Sequence, residues 1–365
     1  MGSGIQANTK MESMAKRERV IAALECGEVD RTPIYDLIRN DAAIEHFAGC
    51  PMDINAPKPA VYAAYAAFAD ATKSAIRLPD IEGKRTSIDG EEYVTKRWTA
   101  WKTRESHYDL GAIRPRVIEK VSRNRELANS AAESIGAYVR DIEEKQAAVG
   151  DTVLFANCPG SGCGLYSAYL FCGGLEQFSY FLCDCPDLAE DLVESSFRVT
   201  LACIDALPGS FAPPAVVLAE DIGGKGGTLF SPAYLRASFF PRLREVVAAL
   251  HRRGARVIMH SDGDLNCVMD DIVGCAVDGI HPIETLAGMN VGDLRRRYPG
   301  LVLLGGVDCS QLLPFGTPEE VFNVVRDNVR QAGRGYFAGS SSEINNEVPL
   351  ENVLALYEAV RQECI

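Results

Sequence analysis

Five stretches in the second half of the chain share one design: AVVLAEDIGG (215–224), ARVIMHSDGD (255–264), AVDGIHPIE (276–284), LVLLGGVDC (301–309) and GYFAGSSSE (335–343). Each opens on a short apolar run and closes on acidic, histidine, cysteine or glycine residues. Short continuous apolar runs read as strands buried on both faces, and amphipathic helical segments at 232–253 and 318–331 lie between them. Strands alternating with helices specify a parallel sheet. Working backwards, VLFAN (153–157) reads as another strand and RTPIYDLI (31–38) as the first strand entering the core. One further strand in the first half brings the count to about eight. With no G-x-G-x-x-G after the first strand, that count favours a single (β/α)8 TIM barrel of the α/β class over an open dinucleotide-binding sheet.

The N-terminal third is helical and irregular. Residues 14–26 carry Val20, Ile21 and Leu24 at helical spacing, and 60–71 is rich in Ala and Tyr. Asp89-Gly90 reads as a hairpin turn ahead of an alternating segment at 93–98. Residues 1–13 read as a polar leader, and 14–365 as one barrel with an N-terminal helical extension.

The 365 residues hold 37 Lys+Arg against 50 Asp+Glu, a net charge of −13. That balance excludes nucleic acid and anionic membrane surfaces as natural partners, since both need a basic face. No apolar run reaches the roughly 20 residues of a membrane span, and the start lacks a signal-peptide core, so a cytoplasmic location is expected. The 12 Cys are scattered, as expected of reduced, mostly buried thiols.

In a (β/α)8 barrel, chemistry gathers at the C-terminal strand ends. Those ends here supply Glu220-Asp221, His260-Ser261-Asp262, His281-Pro282-Ile283-Glu284, Asp308-Cys309 and Ser342-Glu343. A neutral imidazole with carboxylate or thiolate partners and one open position makes a catalytic zinc site. The candidate metal ligands are Glu220, His260, His281, Asp262 and Cys309; the candidate catalytic groups are His260, Asp221 and Asp308. Gly223-Gly224-Lys225-Gly226-Gly227 lacks phosphate-loop spacing, but Gly223 and Gly224, with Gly162 on the rim at 157–162, would let a large cofactor approach the backbone. Tyr166 and Tyr169 are candidate walls for an aromatic ring.

At these residues the chain resembles the uroporphyrinogen decarboxylase superfamily. The similar segments are Asp30-Arg31-Thr32-Pro33, Glu220-Asp221-Ile222-Gly223, Leu229-Phe230-Ser231-Pro232, His260-Ser261-Asp262-Gly263, 279–284, 305–308, 316–321 and 348–352. The resemblance implies a (β/α)8 barrel and one of several activities: porphyrinogen decarboxylation, corrinoid-dependent methyl transfer, or a methionine-synthase-like reaction. The decarboxylase branch carries an Arg-rich stretch after the first strand to hold its substrate's many carboxylates. Residues 37–45 hold only Arg39 and two acids, whereas a polycarboxylate needs several paired cations. The methyltransferase branch holds zinc with a His-x-Cys pair and a later Cys. His260 matches the first position, Asp262 replaces the paired Cys, and the later region reads Ser340-Ser341-Ser342-Glu343. A harder, oxygen-rich set leaves zinc more Lewis acidic, suited to polarising an ether oxygen. The expectation is therefore a zinc- and corrinoid (cobalamin)-dependent methyltransferase. It takes a methyl group from a small methylated substrate, such as an aryl methyl ether, and passes it to a corrinoid protein. Transfer from methylcorrinoid to a thiol, or decarboxylation, is the alternative, and a homodimer stays open.

Overall fold

The structure, a computed structural model, describes residues 13–86, 92–103 and 108–362. Asp89-Gly90 lies outside the described residues. Seven parallel strands form one sheet in the order Ala71–Lys73, Val153–Asn157, Ala215–Ala219, Arg256–His260, Gly279–Ile283, Val302–Val307 and Tyr336–Ser340. The sheet closes on itself through the segment read as the first strand. Ile34 bridges Ala338 and Tyr35 bridges Ala71, both in parallel. The extended run expected over 31–38 is thus reduced to bridge pairs, yet it occupies the eighth position of a TIM barrel.

Alternation along the strands fills the barrel. Tyr35, Ala71, Val153, Phe155, Ala215, Val217, Ile258, Val302, Leu304 and Phe337 share one buried cluster inside it, while neighbours such as Leu154, Val216, Val257 and Leu303 join the cluster beneath the helices. The N-terminal helix Lys16–Leu24 plugs the lower end: Val20, Ala23 and Leu24 belong to the interior cluster. Lys16 Nζ donates to the carbonyls of Ala66 and Ala69 at 2.6 and 2.8 Å. Arg19 pairs with Asp30 at 2.6 Å and with Asp70 at 2.8 Å, and Arg31 reaches Asp70 at 2.8 Å.

Strand boundaries differ from the sequence reading in a way that matters for the site. The run expected to begin at 276 turns first, with Ala276 at φ 64°, and the strand occupies Gly279–Ile283. His281 therefore lies inside a strand rather than beyond its end. The long helix expected over 232–253 is broken into Pro232–Tyr234, a π-helical turn at Leu235–Phe239, and Phe240–Arg252. The helix Pro318–Ala332 starts where Thr317 and Glu320 form a reciprocal cap. A separate antiparallel sheet, Gly83–Thr86, Glu92–Lys96 and Thr99–Lys102, is the excursion expected around 80–101.

Candidate active site

Strand Ala215–Ala219 ends just before Glu220-Asp221, and strand Arg256–His260 ends on His260, with Asp262 two residues beyond. Parallel pairing sets Ala219 opposite His260. This register brings Asp221, His260 and Asp262 together, with one donor atom from each within 4.8 Å of the others. His260 Nε2 lies 3.7 Å from Asp221 Oδ1 and 4.0 Å from Asp262 Oδ1. The Asp262 backbone N–H donates to Asp221 Oδ1 at 3.3 Å.

Burial sets the electrostatics of this trio. Burial pushes Asp262 up to about 7, with the nearby charges of Asp221 and Glu284 adding to it. Burial also raises the Asp221 carboxyl. It drives His260 down to about 3, Lys73 contributing in the same direction, so the imidazole is neutral at pH 7. Asp262 Oδ1 is buried and has no hydrogen-bond partner. An orphaned buried carboxylate oxygen is costly, and a neutral imidazole with two carboxylates is a donor set for a divalent ion such as zinc. The residues fit the metal that the sequence implied.

Behind His260 sits His281, fully buried. The rings stack at 4.9 Å and 24°, and their Nδ1 atoms share a 2.7 Å hydrogen bond. Tyr35 packs edge-on against His281, with ring centroids 5.1 Å apart. This holds the His260 ring with its Nε2 toward the two carboxylates. On the other side, Tyr166 and Asp221 act on each other's ionisation, burial and then Asp221 raising the Tyr166 hydroxyl. Tyr169 OH donates to the Asp221 carbonyl at 3.0 Å. Tyr166 also lines a cavity of about 320 Å³ at the strand ends, with Lys73, Asn157, Ser161, Leu170 and Val217.

Other residues singled out in the sequence are placed elsewhere. Glu220 is completely buried and faces the turn at 162–166, accepting from the backbone N–H of Cys163 and from that of Tyr166 at 3.3 Å; burial pushes it up to about 8. Gly162 serves that carboxylate: at φ 61°, a Cβ there would overlap Glu220 Oε1, and the residue also borders the cavity. Gly223 and Gly224 pair with Gly227 and Thr228 in a two-stranded ribbon, and they pack against the backbone of Asp262 and Gly263. The missing side chain of Gly223 makes room for the Asp262 carbonyl, which a Cβ there would overlap. Asp308 accepts from the backbone N–H groups of Ser310, Gln311 and Leu312 at 3.2, 2.7 and 2.7 Å. Against the effect of burial, these bonds hold its carboxyl below the usual range. The Cys309 thiol accepts from Ser341 Oγ at 3.4 Å. Among the described residues, Glu220, His281, Asp308 and Cys309 thus lie outside the cation cluster.

Two residues at the mouth had no signal in the sequence. Lys73 ends a strand of three residues, too short for an apolar run. Asp36, at the closing seam, sits within a run that reads simply as a strand. Arg39, the lone cation of the 37–45 stretch, is held by Glu343 at 2.5 Å.

The fold agrees with what the chain resembles. No curated protein matches it. Among solved structures, a methyltransferase from Methanosarcina mazei aligns over 96% of this chain and 99% of its own at 16% identity, with a TM-score of 0.62. A putative vitamin-B12 independent methionine synthase from Listeria monocytogenes covers 62% of this chain and 67% of its own at 14% identity and a TM-score of 0.36. The family model described as Uroporphyrinogen decarboxylase (URO-D) matches residues 114–363, more than half of the chain and the part that carries the trio. The chain belongs to the uroporphyrinogen decarboxylase (URO-D) family.

Proposed function

We propose that this protein is a methyltransferase that removes a methyl group from a small methylated substrate, such as an aryl methyl ether, and delivers it to a corrinoid protein docked over the barrel mouth. The observation that carries this reading is the Asp221–His260–Asp262 trio with its unpartnered buried carboxylate oxygen. Those three residues would hold zinc, which when bound acts as a Lewis acid on the ether oxygen that leaves with the aryl group. His281 fixes the His260 ring, and Tyr166 acts on the ionisation of Asp221. The cavity lined by Lys73, Tyr166 and Leu170 would receive the substrate, and its mostly apolar lining would limit water around the departing oxygen. A thiol-activating reaction fits less well, because among the described residues no cysteine joins the trio.

Metal content of the purified, zinc-loaded protein is the first test: one zinc per chain is expected. His260→Ala should lose it, and His281→Phe should weaken binding by roughly 10–100-fold, the usual effect of disturbing an outer-shell partner. Methylation of cob(I)alamin by methoxyarenes, followed by its absorbance change, tests the reaction. Failure of the wild-type chain to retain zinc would remove the Lewis-acid site. Transfer observed only from methylcobalamin to a thiol would reverse the direction.

A further inference from the structure

Lys73 stands at the C-terminal end of the strand Ala71–Lys73 and lines the cavity of about 320 Å³. Among the described residues its ammonium has no hydrogen-bond or ion-pair partner; it feels the charges of Arg39, Glu343, Asp262 and Asp221 only at longer range. The other mouth cation, Arg39, is already neutralised by Glu343. A half-buried lysine facing a cavity without a counter-ion is costly to hold, because burial disfavours its charged form. An incoming anion would relieve that cost.

The cavity narrows the choice of anion. Its volume is at the lower end of ligand pockets, roughly 300–1,000 Å³, and suits a single substituted ring. Tyr166, Leu170, Val217 and Leu218 supply apolar wall, while Asn157, Ser161 and Ser167 supply polar atoms. Asp221 and Asp262 lie close by, and one lysine is the only unpaired cation on the wall. A dianion such as a phosphate ester would bring two charges to one ammonium with two carboxylates nearby, whereas a monoanion matches the single ammonium one to one. Tyr166 lines the cavity and interacts electrostatically with Asp221, so it stands between the cavity and the trio.

We propose that Lys73 is the anion-recognition residue of this site, and that the methyl-bearing substrate is an aromatic monocarboxylic acid whose carboxylate pairs with Lys73 Nζ while its ring lies beside Tyr166. The assignment rests on the methyltransferase reading for the methyl group and on the cavity alone for the acid.

Calorimetric titration of the chelator-treated protein with 4-methoxybenzoate and with the isosteric neutral 4-methoxybenzamide tests it. Removing metal prevents the carboxylate from being drawn to zinc instead of lysine. The acid is expected to bind at least about tenfold more tightly than the amide, the worth of one charge-assisted hydrogen bond. Lys73→Gln should abolish that preference, and Lys73→Arg should retain part of it, with melting curves confirming that both variants fold. Equal affinity for acid and amide in the wild-type chain, no binding of either, or an undiminished preference in Lys73→Gln overturns the proposal. The wild-type comparison decides even if a variant does not fold. Zinc retention and cobalamin methylation are read separately, so acid preference without methyl transfer refutes the proposed activity and leaves Lys73 standing. Methyl transfer with no acid preference does the reverse.

Discussion

Asp36 accepts from the backbone N–H and hydroxyl of Ser340 at 2.7 and 2.6 Å and from the Leu37 N–H at 2.8 Å. Burial nevertheless dominates and pushes its carboxyl up to about 7, with Glu343 across the mouth adding like charge. The folded chain therefore keeps a proton that the unfolded chain releases near the ordinary value of 3.8. Between those limits the unfolded state binds fewer protons, so the contribution of Asp36 to stability falls as pH rises and is fully present only below about 4. Asp36→Asn should flatten that part of the pH profile, raising stability at pH 8 relative to pH 5; urea unfolding at the two pH values measures it. An unchanged slope would show that Asp36 ionises normally. At this scale the sequence was informative for His260 and Asp262, because adjacent strand ends in register must converge. It named Glu220 as the ligand from the neighbouring strand and Asp221 as a catalytic group, whereas the structure brings Asp221 into the cluster. The sequence was uninformative for Lys73 and Asp36. Their importance comes from where the barrel closes, and neither sits in a distinctive local pattern.

Strand ends were legible as elements, but their last residues were not. The glycines after Leu304 read as loop, yet Val302–Val307 runs through Gly305 and Gly306, which pair with Ala338 and Gly339. The consequence falls on Asp308. Expected as a catalytic group at a strand end, it instead satisfies the exposed N–H groups ahead of the short helix Leu312–Phe315. Asp308→Ala should lower stability by about 1–2 kcal/mol, the usual loss of a capping carboxylate, while zinc stoichiometry stays at one per chain. Thermal melts and metal analysis check the two halves, and loss of zinc with unchanged stability would restore a role in the site. His281 was misplaced for the same reason: Val277 and Asp278 belong to the turn around Ala276, and the strand starts later.

Closure depends on a few contacts that bring distant parts of the sequence together. Asp70 is buried at the lower end, binds Arg19 and Arg31, and accepts from the Ile34 N–H at 2.9 Å. It thus ties the plugging helix, the seam at 34–35 and the strand Ala71–Lys73. Removing one partner of a buried ion pair leaves an uncompensated charge and typically costs about 3–5 kcal/mol. Asp70→Ala should therefore lower the unfolding midpoint far more than Asp308→Ala, as calorimetry would show, and a loss below about 1 kcal/mol would mean that the seam is held by packing alone. The eight-strand count and the helical N-terminal extension could be read from the sequence, since burial periodicity survives without coordinates. The seam could not. Its three bridges, Ile34 to Ala338, Tyr35 to Ala71 and Ile38 to Ile344, involve a segment too brief to have a period, and its ionic ties join residues far apart in the chain, Arg19 to Asp70 and Arg39 to Glu343.

The contact between His260 and His281 also governs where protons reside. Two Nδ1 atoms 2.7 Å apart hold one hydrogen between them, and burial keeps both rings uncharged. A ligand nitrogen must be bare, so metal binding at His260 Nε2 obliges His260 to carry its hydrogen on Nδ1 and His281 to carry its own on Nε2. Without metal, the carboxylates beside Nε2 favour the opposite arrangement in both rings. On metal binding the two imidazoles would thus exchange tautomers together, and a ring that does not touch the ion would report it. Nitrogen-15 spectra of histidine-labelled protein should show the ring nitrogens of His281 trading protonated and bare signatures on zinc addition, whereas a shift confined to His260 would show that the two rings are uncoupled.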